Sequence, residues 1–72
     1  MVKAVILVKS PKKLIAARLR KIKSINESFP VSGQFDAVVL IDVVNLPEIK
    51  NITTEIQTIS GVERTETMIE VQ

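Results

Sequence analysis

The chain of 72 residues contains no cysteine and no histidine. Without them there is no disulfide, thiol nucleophile, Cys/His zinc site or imidazole acid–base mechanism. Tryptophan and tyrosine are missing too, and the two phenylalanines are the only aromatic residues. A metal site built from carboxylates alone would need a cluster of acids, and the sequence shows none. These absences make an enzyme the least supported class of function.

Long hydrophobic runs are also lacking. The run Ala4–Val8 is far too short to span a bilayer or to form a signal sequence, so we expect a cytoplasmic protein. The length allows one domain, residues 1–72. Hydrophobic residues nevertheless make up 46% of it, nearly all of them aliphatic. A domain this small cannot easily bury that much aliphatic surface, which favours an oligomer.

Charge is unevenly distributed along the chain. The first 23 residues hold eight basic residues and no acid, and the remainder holds two basic residues against eight acids, leaving a net charge of +2. This polarity indicates either a basic binding face or complementary packing between subunits.

The first half of the chain predicts a strand, a helix and a second strand. Residues Val2–Val8 are apolar on both faces of a strand. Ser10 then caps a helix with proline at its first position, and leucine and isoleucine recur at helical spacing over Pro11–Lys23. A weaker strand over Glu27–Ser32 contains Pro30, which places it at a sheet edge or a bulge.

The second half predicts a strand, a helix and a last strand. Phe35–Val44 is apolar on both faces and is typical of a central strand. Asn45 caps the second helix, Pro47 lies in its first turn, and Gly61 ends it. Val62–Val71 alternates polar and apolar residues, as an edge strand does.

This order, βαββαβ, predicts a ferredoxin-like α+β fold. Right-handed crossovers give a four-stranded antiparallel sheet of order 4-1-3-2 with both helices on one face. The two strands that are apolar on both faces are then the central ones. Because helices cover only one face, the other must meet a partner, and a second copy of the sheet gives a C2 dimer, a dimeric α+β barrel.

Two short motifs carry a family resemblance. Val31-Ser32-Gly33-Gln34-Phe35-Asp36 precedes the third strand, and Gly61-Val62-Glu63-Arg64-Thr65-Glu66-Thr67 opens the last. They match the patterns V-T/S-G-x-Y/F-D and G-V-x-x-T-x-T. The chain thereby resembles, from about Val2 to Val71, the effector-binding domain of the leucine-responsive/asparagine-activator regulators (Lrp/AsnC, or feast/famine).

The resemblance implies an amino-acid site where one dimer meets another. Asp36 would bind the ligand amine and Phe35 would be a packing anchor. Read without the family, Asp36 would bond to the backbone of its own turn, Gly33 would be a turn glycine, and the threonines would be ordinary strand residues. The implied ligand-binding residues are Gly33, Gln34, Phe35, Asp36, Thr65 and Thr67.

The resemblance also implies partners. Dimers would assemble into octamers or decamers, and the chain would co-assemble with full-length Lrp/AsnC regulators. No helix-turn-helix precedes Met1, so we expect a stand-alone effector domain without direct sequence-specific DNA binding. No cofactor, metal or membrane is expected, and an amino-acid effector is the only small molecule implied.

Two alternatives stay open at this level. Amino-acid-binding ACT modules share the βαββαβ order, although they lack the paired motifs. The basic first helix, with Arg18 and Lys21, would be a solvated face, a contact for acidic residues of a neighbour such as Glu63, Glu66 or Glu70, or a nucleic-acid surface. RNA-binding sheets of this shape stack bases on exposed aromatics, and Phe29 and Phe35 do not form such a pair.

Overall fold

The computed structural model describes residues 2–12 and 14–71. The six elements follow the predicted order, and several are shorter than predicted. Their bounds are β1 Val2–Lys9, α1 Ile15–Leu19, β2 Glu27–Pro30, β3 Ala37–Val43, α2 Leu46–Gln57 and β4 Arg64–Ile69.

The sheet order is β2-β3-β1-β4, with every neighbouring pair antiparallel. This is the predicted order 4-1-3-2 read from the other edge. The strands that are apolar on both faces, β1 and β3, lie in the centre, and β2, which ends at Pro30, lies at an edge. A proline costs little there, since an edge strand has backbone N–H groups that pair with no neighbour.

One face of the sheet, here called the covered face, packs against both helices. Alternate residues of the central strands point to it and are almost completely buried, including Ile6, Val8 and Val39 at 0% exposure. The helices contribute the facing layer of this single core: Ile15, Ala16 and Leu19 from α1, and Ile49, Ile52 and Ile56 from α2.

The opposite face, here called the open face, carries aliphatic side chains without a helix over them. The strand register places Val5 and Leu7 of β1 beside Leu40 and Val38 of β3. Phe29 of β2 continues the row next to Val38. All five residues are only half-buried. The same residue types that form the core on one face are therefore left partly in water on the other.

The second helix begins as predicted and ends earlier. The Asn45 side chain accepts a hydrogen bond from the Glu48 N–H at 3.2 Å, and Pro47 lies in the first turn. The helix ends at Gln57, not at Gly61. Beyond it, the N–H groups of Ile59 and Val62 donate to carbonyls three residues earlier, so the chain continues as tight turns. Gly61 lies in these turns with φ of 97°.

The first helix is much shorter than the predicted Pro11–Lys23, and Ser10 is not its cap. The Ser10 hydroxyl accepts from the Lys12 N–H at 3.1 Å in the preceding turn, and the N-cap position is Leu14, with φ of 63°. After Leu19 the backbone bonds tighten to a three-residue spacing. Four cations among residues 18–23, with no acid among or before them, repel one another and weaken a longer helix. Lys13, inside the predicted helix, lies outside the described residues.

The strand ends were overestimated as well. The second strand stops at Pro30 instead of Ser32, and the third starts at Ala37 and ends at Val43. The last covers Arg64–Ile69, not Val62–Val71. Phe35 and Asp36 consequently belong to the connection at the sheet's end, together with Gly33 and Gln34, and not to the third strand where they were predicted.

Candidate effector site

The connection between β2 and β3 is a turn closed by its own backbone. The Val31 N–H donates to the Asp36 carbonyl at 3.0 Å, and the Asp36 N–H donates to the Val8 carbonyl at 2.8 Å. Between them, Gly33 has φ of 112°, which favours glycine. A Cβ atom at this glycine would meet no atom within 4 Å beyond its chain neighbours, so this position of the turn faces open space.

The Asp36 carboxylate is held by the end of β1. Its Oδ2 atom accepts a hydrogen bond from the Ser10 N–H at 2.8 Å and lies 4.0 Å from Lys9 Nζ. The interpretation of Asp36 as a cap for the Gly33–Gln34 backbone is thus wrong, because its partner is 26 residues away in sequence. The side chain remains 40% exposed.

Asp36 also borders a groove of about 530 Å³ on the helix side of the turn. The loop from Ser10 to Leu14, the first turn of α1, Arg20 and Pro30 form its other walls. Ligand pockets for small molecules have roughly this size. The exposed carboxylate thus has room for a small molecule beside it.

Phe35 is buried at 9% exposure and lies outside the main core cluster. The guanidinium carbon of Arg64, the first residue of β4, stands 5.1 Å from the centroid of its ring. This is a cation–π distance. The contact connects the turn to the strand that carries the two threonines.

Thr65 and Thr67 lie on the covered face, where they neighbour Val8 and Ile6 of β1. Both are half-buried. The Thr65 hydroxyl accepts a hydrogen bond from the Gln57 amide of α2 at 2.9 Å. The Thr65 hydroxyl is thus bound to α2 within the same chain.

The six residues of the predicted site form two groups in one chain. Gly33, Gln34, Phe35 and Asp36 lie together in the turn at the β3 side of β1, and the threonines lie on its β4 side. Two strand spacings, roughly 10 Å, separate the groups. A ligand that contacts both would need residues from more than one copy of the chain.

Sequence reasoning missed Lys9 and Arg64 as neighbours of this turn. Both are cations at strand ends, and they face each other across β1 and β4. In the predicted sheet order these ends meet beside the turn, so the topology and the charge together could have identified them.

One cation of the basic segment around the first helix makes a structural hydrogen bond. The Arg20 Nε donates to the Ser28 carbonyl at 2.7 Å and fastens the end of α1 to β2. Arg18 and Lys21 are exposed.

Among residues 2–12 and 14–71, no cluster of three acidic, histidine or cysteine side chains could hold a metal ion. Within the same residues, no helix is long and apolar enough to cross a membrane.

The family model described as the Lrp/AsnC ligand binding domain matches residues 3–72. The chain belongs to this family. No match was found among curated proteins. The family match confirms the resemblance carried by the two motifs, and it favours the Lrp/AsnC interpretation over an ACT module.

Solved structures support the same fold. TTHA0845 from Thermus thermophilus is 25% identical, with a TM-score of 0.91 over 100% of this chain and 95% of that one. AsnC of E. coli is 20% identical, with a TM-score of 0.84 over 99% of this chain and 51% of AsnC. The transcriptional regulator NMB0573 from Neisseria meningitidis, solved as a complex with L-Met, is 17% identical. Its TM-score is 0.81 over 99% of this chain and 50% of that one.

The family identifies the chain as a regulatory, effector-binding domain of the kind found in transcription regulators. It spans about half the length of AsnC and NMB0573. The ligand, the assembly and the site residues belong to the proposal that follows.

Proposed function

We propose that the chain senses an amino acid and oligomerises, modulating transcription through its own assemblies or by co-assembly with full-length Lrp/AsnC regulators. The observation that carries the ligand part is the environment of Asp36. Its carboxylate is oriented by a backbone N–H, is partly exposed, and borders a groove of suitable size. An ammonium group beside it would gain a charge-assisted hydrogen bond.

The L-Met complex of NMB0573 supports the choice of ligand class. That regulator shares the fold of this chain, and methionine presents the ammonium and carboxylate groups common to all α-amino acids. The proposal therefore concerns the class of amino acids. It leaves the side chain of the ligand to experiment.

The open face supports the oligomeric part. It holds a row of half-buried aliphatic side chains at the centre of the sheet, from Val5 and Leu7 to Leu40. Packing two such faces together would remove this apolar surface from water at about 25 cal/mol per Å². The proposed unit is thus a C2 dimer of sheets, from which octamers or decamers are built, and a full-length regulator would offer a matching face.

Thermal unfolding in the presence of each of the twenty amino acids tests the ligand part. A ligand at about one hundred times its Kd adds roughly 2.7 kcal/mol, which is several degrees for a domain of this size. We expect a selective increase in Tm with one amino acid or a few related ones. No shift with any of the twenty would refute amino-acid sensing.

The variant Asp36→Asn tests the residue. Asparagine keeps an oxygen that can accept from the Ser10 N–H, and it removes the charge that an ammonium group needs. We expect the amino-acid shift to disappear while the ligand-free Tm changes little. Glu55→Gln, an exposed carboxylate on α2, is the matched control and should keep the shift. An Asn variant that binds with the wild-type Kd in calorimetry would show that Asp36 is not the amine ligand.

A further inference from the structure

We infer that Leu14 binds the side chain of the amino acid whose ammonium group Asp36 holds, and that the site therefore selects aliphatic amino acids over polar ones. This inference rests on the proposed function and adds a residue that belongs to neither motif. Leu14 and Asp36 line the same groove. The walls of this groove, the contacts of its cations and the backbone of Leu14 carry the inference.

The groove beside Asp36 is mostly apolar. Six of its ten lining residues are aliphatic, namely Pro11, Leu14, Ile15, Ala16, Ala17 and Pro30. Ile15 and Ala16 also belong to the core and are 3% and 4% exposed, so they form the floor of the groove. Leu14, at 78% exposure, stands at its rim. An aliphatic ligand side chain between the floor and Leu14 would remove apolar surface of both partners from water.

The two cations that line the groove are anchored to residues that do not line it. The Lys12 side chain passes so close to Gly61, in the turns before β4, that a Cβ atom there would lie 2.6 Å from Lys12 Cγ. Arg20 donates through Nε to the Ser28 carbonyl of β2 at 2.7 Å. The apolar floor and Leu14 are thus the surface that remains for a ligand side chain.

Leu14 and Asp36 lie within reach of one amino acid. The Ser10 N–H donates to the Asp36 carboxylate, and Leu14 follows Ser10 by four residues. Four residues span at most about 14 Å, and the hydrogen bond from the Lys12 N–H to the Ser10 hydroxyl bends this stretch. A hydrogen bond at one end of a ligand and an apolar contact at its other end cover about 7 Å. This leaves roughly 7 Å, about the length of a leucine or methionine molecule.

The backbone of Leu14 also indicates a function for this residue. Its φ of 63° is unfavourable for leucine, and at 78% exposure the side chain gains little burial within the chain in return. Strained residues of this kind cluster at ligand-binding sites, where the strain pre-organises a contact. A bound aliphatic side chain would give Leu14 the burial that its own chain does not provide.

Amino acids of similar size and different polarity test the selectivity. The pairs are leucine with asparagine, methionine with glutamine, and valine with threonine. In the thermal screen of the twenty amino acids we expect the apolar member of each pair to give the larger increase in Tm, because only it gains from the apolar floor.

The variant Leu14→Ala tests the residue, since it removes most of the side chain and keeps the left-handed backbone. Leu46→Ala is the matched control: Leu46 is a leucine at the start of α2 that is 57% exposed and does not line the groove. The probes are the aliphatic amino acid with the largest Tm shift and alanine, which has the same ammonium and carboxylate groups and only a methyl side chain. Calorimetry gives each Kd, and titration of the Tm gives it where binding is weak.

We expect Leu14→Ala to weaken binding of the aliphatic amino acid by roughly 4- to 15-fold, the factor for one or two buried methylene groups. Its affinity for alanine should stay at the wild-type value, because alanine does not extend to Leu14. Leu46→Ala should bind both probes as the wild type does.

Three results would overturn the inference and leave amino-acid sensing standing. Larger Tm shifts with polar or acidic amino acids than with aliphatic ones would show that the groove does not select apolar side chains. An unchanged Kd of Leu14→Ala for the aliphatic amino acid would show that Leu14 does not contact the ligand. Equal losses for both probes would show that Leu14 only shapes the loop. No binding of any amino acid by the wild type would instead refute the proposed function and this inference together.

Discussion

The middle of the sheet is aliphatic on both of its faces, and the two faces have very different surroundings. Ile6 points to the covered face and is completely buried, while its neighbour Leu7 points to the open face and is only half-buried. Both belong to an aliphatic run in one central strand. The sequence therefore places core-forming aliphatic residues on both faces of this strand. Only one face becomes a core within the chain, because both helices pack against that face.

The difference indicates where stability and assembly reside. The covered face holds the single core cluster, so it should determine whether one chain folds. The open face retains apolar surface that the chain itself does not bury, so it should determine whether chains associate. Substitutions of matched size on the two faces separate these contributions.

The largest effect is expected on the covered face. Ile6→Ala removes a completely buried side chain and leaves a cavity beneath the helices, which costs about 2–5 kcal/mol. The loss should appear in urea unfolding at every protein concentration, because the cavity lies within one chain. Leu7→Ala should cost less under dilute conditions and more as concentration rises. Equal, concentration-independent losses for both variants would contradict the division between the faces.

The next effect is on association. Leu7→Lys places a charge at the centre of the open face, with Glu66 of β4 as its cross-strand neighbour, and a dimer would have to remove this pair of charges from water. We expect sedimentation equilibrium to give a dimer or a larger assembly for the wild type and a folded monomer for this variant. The control is Leu46→Lys at the start of α2, a leucine that is 57% exposed and outside the open face. A monomeric wild type, or a Leu7→Lys variant that still dimerises, would refute the proposed interface.

The fold was predictable from the sequence in those elements whose local signals, such as helix caps and hydrophobic spacing, agree with their position in the sheet. The central strands follow from their two apolar faces, and α2 follows from Asn45, Pro47 and a regular isoleucine stripe. The extent of α1 was not predictable from its apolar spacing, because clustered like charges and a leucine with positive φ act against it. Neither feature changes the hydrophobic pattern from which the helix was predicted.

For the candidate site, the sequence indicates residues through its motifs, and it does not indicate the contacts that these residues make. The glycine turn and the threonine pair stand out as motifs. The Ser10 N–H that holds Asp36 and the stack of Arg64 on Phe35 depend on strand register across three strands. A single sequence does not specify which side chains meet across a sheet until its topology is known.

The smallest effect concerns the helix that covers the β2–β3 side of the core. Leu14 precedes α1 with φ of 63° and is 78% exposed, so it strains the backbone and contributes little burial. A left-handed conformation costs roughly 1–2 kcal/mol for a residue other than glycine. Glycine avoids this cost, but its greater conformational freedom in the unfolded chain offsets about 0.5–1 kcal/mol of the stabilisation. Leu14→Gly should therefore raise the Tm slightly.

The exposed Ala17, which lies inside α1, provides the opposite case. Ala17→Gly should lower stability by about 1 kcal/mol, because helical backbone gives glycine no relief from strain. Thermal unfolding of the two variants under identical conditions should give shifts of opposite sign. If Leu14→Gly destabilised the protein as much as Ala17→Gly does, the positive φ of Leu14 would carry no strain. Any lower stability of α1 relative to α2 would then come from its shorter length alone and not from backbone strain at its start.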